Sequence, residues 1–129
     1  MNKEYRIIIA VIASGGIIYA AYYGSYMPLK KSKLYINTFD QMQAVRSLSE
    51  FKAVYDPVIN YPSPVGQDEI MANYLNMVAQ TMGRIEDEKT LRAFMEYVEP
   101  QMRPILEKGT GLNFSQNLYN IGTVYKIAG

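Results

Sequence analysis

The chain has 129 residues and a net charge of +1, which leaves room for one small domain. It contains no cysteine and no histidine, so disulfides, cysteine-ligated metals and the usual histidine acid–base chemistry are excluded. Residues through Lys33 carry a net +4, and those from Leu34 onward carry a net −3. An acidic domain without a basic stripe argues against nucleic-acid binding. No cofactor is predicted.

One apolar segment, residues 7–27, dominates the sequence. No charged residue lies between Arg6 and Lys30. As a helix, 20 of these residues would reach about 30 Å, the hydrocarbon thickness of a bilayer. The small-residue pattern of a cleavage site is missing at its end, so a retained anchor is favoured over a cleaved signal peptide. We predict a transmembrane anchor at 1–29 and a helical soluble domain at 30–129.

Two sets of residues in this segment predict how the anchor sits in its surroundings. An interfacial belt at the headgroup level is predicted from aromatic and basic residues: Tyr19, Tyr22, Tyr23, Tyr26, Lys30 and Lys31. Small residues four apart allow two helices to approach closely, which is expected here for Gly16, Ala20 and Gly24. Basic residues flank the segment almost equally on both sides. The usual anchor arrangement favours an extracytoplasmic domain.

The remainder of the chain has helical periodicity throughout. Ser47 and Glu50 have the spacing of a capping box, and Pro62 and Pro64 interrupt the pattern between two helices. Further helices are expected over about 66–83, from about 86 up to the glycines near 109, and over about 115–128. No segment shows sustained period-2 alternation. The prediction is an all-α protein whose small domain consists of helical hairpins, repeat-like at the C-terminus.

Residue groups that could carry chemistry have simpler structural explanations. Glu86, Asp87 and Glu88 point in different directions on a helix, so an acidic helix start is favoured over a cation site. The sequence from Gly109 to Gly111 lacks the spacing of a phosphate loop and reads as a helix terminator. We therefore predict no catalytic residue and no metal site.

The last helix carries the most specific local pattern. Its large, aliphatic, small, tyrosine and glycine positions match the first helix of a tetratricopeptide repeat, with the usual tryptophan replaced by leucine: Leu118, Ile121, Gly122, Tyr125 and Gly129. In that arrangement Leu118, Ile121 and Tyr125 form a buried stripe, and Gly122 lets a second helix pack closely.

The wider stretch 28–129 resembles a known family. Its segments YMPLKKSKLYI, SLSEFKAVYD and YPSPVGQDEIMANYL, followed by the repeat-like helix, are similar to the tetratricopeptide-like tail of bacterial O-antigen ligase or polymerase-family membrane proteins. The resemblance implies a helical module associated with the cell envelope. It carries over no catalytic residue, because those enzymes act through a multi-helix membrane domain.

Two functional hypotheses follow from these patterns. The first is a non-catalytic, membrane-anchored helical module of the cell envelope that binds a protein partner or further copies of itself. The alternative is a structural subunit of a larger membrane or surface assembly, held together through its transmembrane helix. An enzyme would have to work without histidine, cysteine or a recognisable motif.

Overall fold

Helices are the only regular secondary structure in the part of the chain that the structure describes. This structure is a computed structural model, and it describes residues 2–129. In chain order the elements are α1 (Lys3–Ala21), a π-helical turn (Tyr22–Tyr26), α2 (Met27–Met42), α3 (Leu48–Ile59), α4 (Gln67–Met82), α5 (Glu88–Lys108) and α6 (Phe114–Ala128). No strand occurs between residues 2 and 129. The all-α prediction is confirmed.

The first three elements form one unbroken helix of 40 residues, Lys3–Met42. The π-helical turn lies directly before Pro28, and the Met27 amide donates to the Tyr22 carbonyl, five residues back. Proline has no N–H to donate and its ring crowds the preceding turn, so a wider turn at this point relieves the conflict without ending the helix. The predicted boundary at residue 29 therefore lies inside a continuous helix.

Local sequence determines where the domain helices begin. Ser47 accepts a hydrogen bond from the Glu50 amide, and Glu50 in turn accepts from the Ser47 amide at 3.2 Å, so the predicted capping box is present. Asp87 caps α5 by accepting from the Thr90 amide at 2.8 Å. This bond explains the acidic cluster around Asp87 as a helix start.

Helix α5 ends at the glycine predicted to terminate it, beyond two prolines. Gly109 ends the helix with a φ of 63°, the left-handed conformation that glycine adopts without strain. Pro100 and Pro104, however, lie within the helix and do not interrupt it. Both prolines are exposed, so water can bond the backbone carbonyls that they leave without a donor.

The hydrophobic core surrounds α4, whose apolar stripe is wide enough to pack on several sides. Tyr74, Leu75 and Val78 of α4 are fully buried. The apolar stripes of α3 and α5 also face this core, through Phe51 and Phe94, whose ring centroids lie 5.5 Å apart. In α2, Phe39 remains half exposed, and the buried residues are Met27, Lys31 and Thr38.

The direction of the helices places two loops at the same end of the domain. The short connection 43–47 turns the chain back, so α3 returns along α2 toward the anchor and α4 runs away from it. Helix α5 returns again, and Lys108 at its end lies 3.7 Å from Asp68 at the start of α4. Loops 60–66 and 109–113 therefore lie at the end of the domain where the anchor enters. We call this the anchor-facing end.

Candidate membrane-anchoring and interaction sites

Helix α1 has no protein packed against it. None of its residues is buried, and the apolar window within Lys3–Met42 has a mean hydropathy of 1.8. The helix is long and apolar enough to cross a membrane. Its exposed aliphatic side chains are Ile7, Ile8, Ile9, Val11, Ile12, Ile17 and Ile18, and their transfer from water to hydrocarbon would be favourable by on the order of 10 kcal/mol.

The tyrosines at the end of the apolar segment form a continuous aromatic cluster. Tyr19 and Tyr23 have ring centroids 4.5 Å apart, and Tyr22 and Tyr26 stack at 5.4 Å. Between the two pairs, Tyr22 meets Tyr23 edge-on at 5.6 Å. All four side chains are exposed. This placement suits the predicted interfacial belt, in which each ring lies at the headgroup level with its hydroxyl toward water.

The two lysines of the predicted belt have different environments. Lys30 is exposed, with its ammonium 5.3 Å from the centre of the Tyr61 ring. Lys31 is only 2% exposed: its ammonium donates to the Tyr61 carbonyl at 3.0 Å and to the Gln67 side-chain oxygen. Burial lowers the pKa of Lys31. Lys31 therefore faces the domain, where it fastens α2 to loop 60–66, and it is not free to meet lipid headgroups as predicted.

The small residues of α1 present a bare helix surface. A methyl group placed on Gly16 or on Gly24 would meet no atom within 4 Å. Gly16 and Ala20 lie in regular α-helix, whereas Gly24 lies in the π-helical turn, where the spacing of four no longer follows α-helical geometry. The predicted packing face is thus accessible but not regular over its whole length.

The repeat-like helix does not bury the stripe that its pattern predicts. Ile121 is buried, but Leu118 is 48% exposed and Tyr125 is 44% exposed. A methyl group on Gly122 would meet nothing within 4 Å, so no second helix packs there in the described part of the chain. Gly129 follows the helix with a φ of 89°.

A different face of α6 packs on the core, one residue out of register with the predicted stripe. It consists of Asn117, Asn120, Ile121 and Val124. The buried Asn120 amide donates to the Ala72 carbonyl of α4 at 3.1 Å, which locks this register because a rotated helix would leave both groups unpaired. The other positions of the predicted stripe, Leu118, Gly122 and Tyr125, lie on the flank of the helix, roughly 100° around the helix axis from the buried face. We call this flank the outward face of α6.

A polar cluster lies at the edge of the core, beside Tyr74. The Tyr97 hydroxyl donates to the Asp56 carboxylate at 2.6 Å, whereas the buried Tyr74 hydroxyl has no hydrogen-bond partner. Burial, with Tyr97 and Asp56 nearby, raises the pKa of Tyr74. Burial also raises the pKa of Tyr55 to about 12. Tyr55 and Tyr74 are fully buried and stay neutral at ordinary pH, whereas Tyr97 is half-buried.

Several surface clefts lie between the helices of the domain. A cleft of about 320 Å³ lies between the end of α2 and the start of α5, with an apolar floor that includes Phe94 and with Arg46 and Arg84 at its rim. A second cleft of about 270 Å³ is lined in part by Lys108 and Asn117. The buried side-chain oxygen of Asn117 has no hydrogen-bond partner in the described part of the chain. Over residues 2–129, no three acidic side chains converge on a position where a metal could bind.

Comparisons with protein-family models, with curated proteins and with solved structures found no match for this chain. The resemblance of residues 28–129 to the tails of O-antigen ligase or polymerase-family proteins therefore stays a prediction. The functional argument rests on this chain's own exposed surfaces.

Proposed function

We propose that this protein is a non-catalytic, single-pass membrane protein whose helical domain binds protein, either a separate partner or further copies of itself. The observation that carries the proposal is the outward face of α6. Leu118 and Tyr125 are half exposed on either side of Gly122, whose bare backbone leaves a notch between them. Exposed apolar side chains around a notch are typical of a surface that another helix covers.

The anchor supports the membrane part of this proposal. Helix α1 offers only apolar and small side chains to its surroundings over the uncharged segment, and it emerges from the domain as a rigid continuation of α2. The tail-like resemblance supports a place in the cell envelope with an extracytoplasmic domain. Because the chain has no cysteine, a single Asn76→Cys variant labelled with a membrane-impermeant maleimide in intact cells tests that orientation. Labelling only after lysis would place the domain in the cytoplasm.

The alternative proposal is a structural subunit that assembles through its membrane helix. The accessible surface at Gly16 and Gly24 favours it, since close helix approach needs such positions to be uncovered in the isolated chain. The two proposals locate the adhesive surface at opposite ends of the molecule. Variants can therefore separate them.

The mass of the full-length assembly in a mild detergent tests both proposals. Gly122→Arg would fill the notch on α6 with a charged side chain, and Asn76→Arg adds the same charge at an exposed position of α4 as a control. Loss of assembly with Gly122→Arg alone supports the α6 surface. Loss only when Gly16, Ala20 and Gly24 are all replaced by leucine supports the membrane-helix alternative. A wild-type monomer leaves a separate partner as the remaining form of the main proposal.

A further inference from the structure

The domain exposes large apolar side chains in two places only, within residues 43–129: the α6 helix and the anchor-facing end. At the anchor-facing end these are Val65, Leu106 and Leu112, with exposed fractions of 59%, 40% and 62%. Val65 lies in loop 60–66, Leu106 in the last turn of α5, and Leu112 in loop 109–113. The outward face of α6 does not account for these residues, since they lie in other elements.

Contacts with α2 fix the height of the first loop relative to the apolar segment. The uncharged stretch that contains the apolar segment ends at residue 29, and the side chains that follow directly contact loop 60–66. Lys31 donates to the Tyr61 carbonyl at 3.0 Å, and Lys30 lies over the Tyr61 ring. Pro28 and Val65 line the same cleft. Loop 60–66 therefore lies level with the end of the membrane segment, where headgroups begin.

The second loop lies at nearly the same height. Gln67, which accepts a hydrogen bond from Lys31, is the first residue of α4. The next residue, Asp68, lies 3.7 Å from the Lys108 ammonium, and a methyl group on Gly111 would lie 3.1 Å from the Asp68 carboxylate. Loop 109–113 therefore sits beside the first turn of α4, and the exposed Leu112 points out of the domain at that end.

We propose that the anchor-facing end is a membrane-contact surface, in which Val65 and Leu112 enter the headgroup region of the bilayer that α1 spans. The occupant is lipid because α1 and α2 are one continuous helix and Lys31 clamps the domain to it, so this end cannot turn away from the membrane. Lys30 is exposed at this end and suits lipid phosphates, whereas Lys108 is paired with Asp68. The inference rests on the proposed membrane anchor.

Its consequence is a domain held at one orientation on the membrane surface rather than swinging on a tether. Helices α4 and α6 both start at the anchor-facing end and run away from it. A docked anchor-facing end would therefore hold α6 upright, with its outward face toward neighbouring molecules in the same membrane. This orientation favours partners that lie beside the protein in the bilayer.

The absence of native tryptophan makes the test direct, because a single introduced tryptophan reports one position. The full chain is reconstituted into vesicles of phosphatidylcholine and phosphatidylglycerol with brominated acyl chains, which quench indole fluorescence on contact. Val65→Trp and Leu112→Trp are the test variants. Ile17→Trp, in the middle of α1, is the positive control. Phe39→Trp, exposed about three turns beyond the membrane segment on α2, is the negative control.

We expect Val65→Trp and Leu112→Trp to be quenched several-fold more strongly than Phe39→Trp, with blue-shifted emission. If either loop variant is quenched no more than Phe39→Trp, the membrane-contact surface is refuted. If Ile17→Trp is quenched in the same vesicles, the membrane anchor itself still stands. Unquenched Ile17→Trp would instead refute the anchor itself. Val65→Cys and Leu112→Cys, each carrying a nitroxide spin label, provide a second measurement. A nitroxide in contact with lipid is more accessible to molecular oxygen than to a water-soluble relaxation agent, so the ratio of the two accessibilities reports lipid contact.

Discussion

Shortening Val124 to alanine tests the register of α6, on which the proposed interaction surface depends. Val124 is fully buried against the core. The substitution removes two methyl-sized groups, which are worth about 0.8 kcal/mol each on transfer. The cavity left behind adds to that loss, so we expect the free energy of unfolding to fall by about 2–3 kcal/mol.

Substitutions at two positions on the outward face, Gly122 and Tyr125, should cause no comparable loss of stability. Tyr125→Ala is expected to change stability by no more than about 0.5 kcal/mol, because the ring is half exposed and alanine favours the helix. Gly122→Ala should stabilise the fold by roughly 0.5–1 kcal/mol, since glycine weakens a helix interior and the added methyl meets nothing.

Urea unfolding of the full-length protein, diluted to a monomer in mild detergent, measures all three variants. The change in near-ultraviolet circular dichroism follows the buried tyrosines of the domain, because the tyrosines of the detergent-bound helix stay in a folded helix and add a constant background. If Tyr125→Ala costs as much as Val124→Ala, or if Gly122→Ala destabilises, the stripe predicted from the repeat pattern is buried after all. The outward face of α6 would then not exist as described.

Three further perturbations test the packing that positions these surfaces. Lys31→Ala should lower the free energy of unfolding by about 2 kcal/mol, because two partly buried acceptors lose a charged donor. Lys30→Ala, at an exposed side chain, should change it little, and equal effects of the two variants in urea unfolding would contradict the contact of Lys31 with loop 60–66. Ser47→Ala should cost about 1 kcal/mol through loss of the capping box, and an unchanged urea midpoint would show that the cap contributes nothing. Raising the pH above about 10 should destabilise the fold. Burial raises the pKa of Tyr55 from 10.0 to about 12 and raises the pKa of Tyr74 as well. The folded state therefore keeps protons that the unfolded chain releases. Between its unfolded and folded pKa values, each such tyrosine lowers the free energy of unfolding by about 1.4 kcal/mol per pH unit. Complete ionisation of the tyrosines near pH 10 with the fold intact would refute their burial.

Local signals in the sequence were sufficient for most of the fold. The capping box at Ser47, the interruption at Pro62 and the glycine at the end of α5 each act within one turn of chain, so their effect is readable without knowing the tertiary structure. Helix α4 has a wide apolar stripe because burial on several sides leaves few polar positions on its surface.

The features that escaped prediction depend on contacts distant in sequence. Lys31 is buried because Gln67 and the Tyr61 carbonyl meet it, and no local pattern indicates acceptors 30 or more residues away. In α6 the buried face includes Asn117 and Asn120, which a hydrophobic pattern assigns to solvent. The bond from Asn120 to the Ala72 carbonyl selects that face.

Of the surfaces on which the proposals rest, the sequence predicted only some. The exposed aromatic cluster on the anchor follows directly from the apolar composition and the tyrosine spacing. The membrane-contact surface had no sequence signal of its own, because Val65 and Leu112 are single apolar residues in separate loops. Only the return of α3 and α5 toward the anchor brings them to one end of the domain.

Photo-crosslinking from the outward face of α6 tests the central claim most directly. The full-length protein carries a benzophenone amino acid in place of Tyr125 and is irradiated in the membranes of the cells that express it, with Asn76 on α4 substituted in the same way as the control. The account predicts a discrete product from position 125 that is absent from position 76 and disappears with Gly122→Arg, at the mass of a dimer for self-assembly or of a heterodimer for a separate partner. Equal products from both positions, or none from position 125, would contradict a protein-binding function for this face.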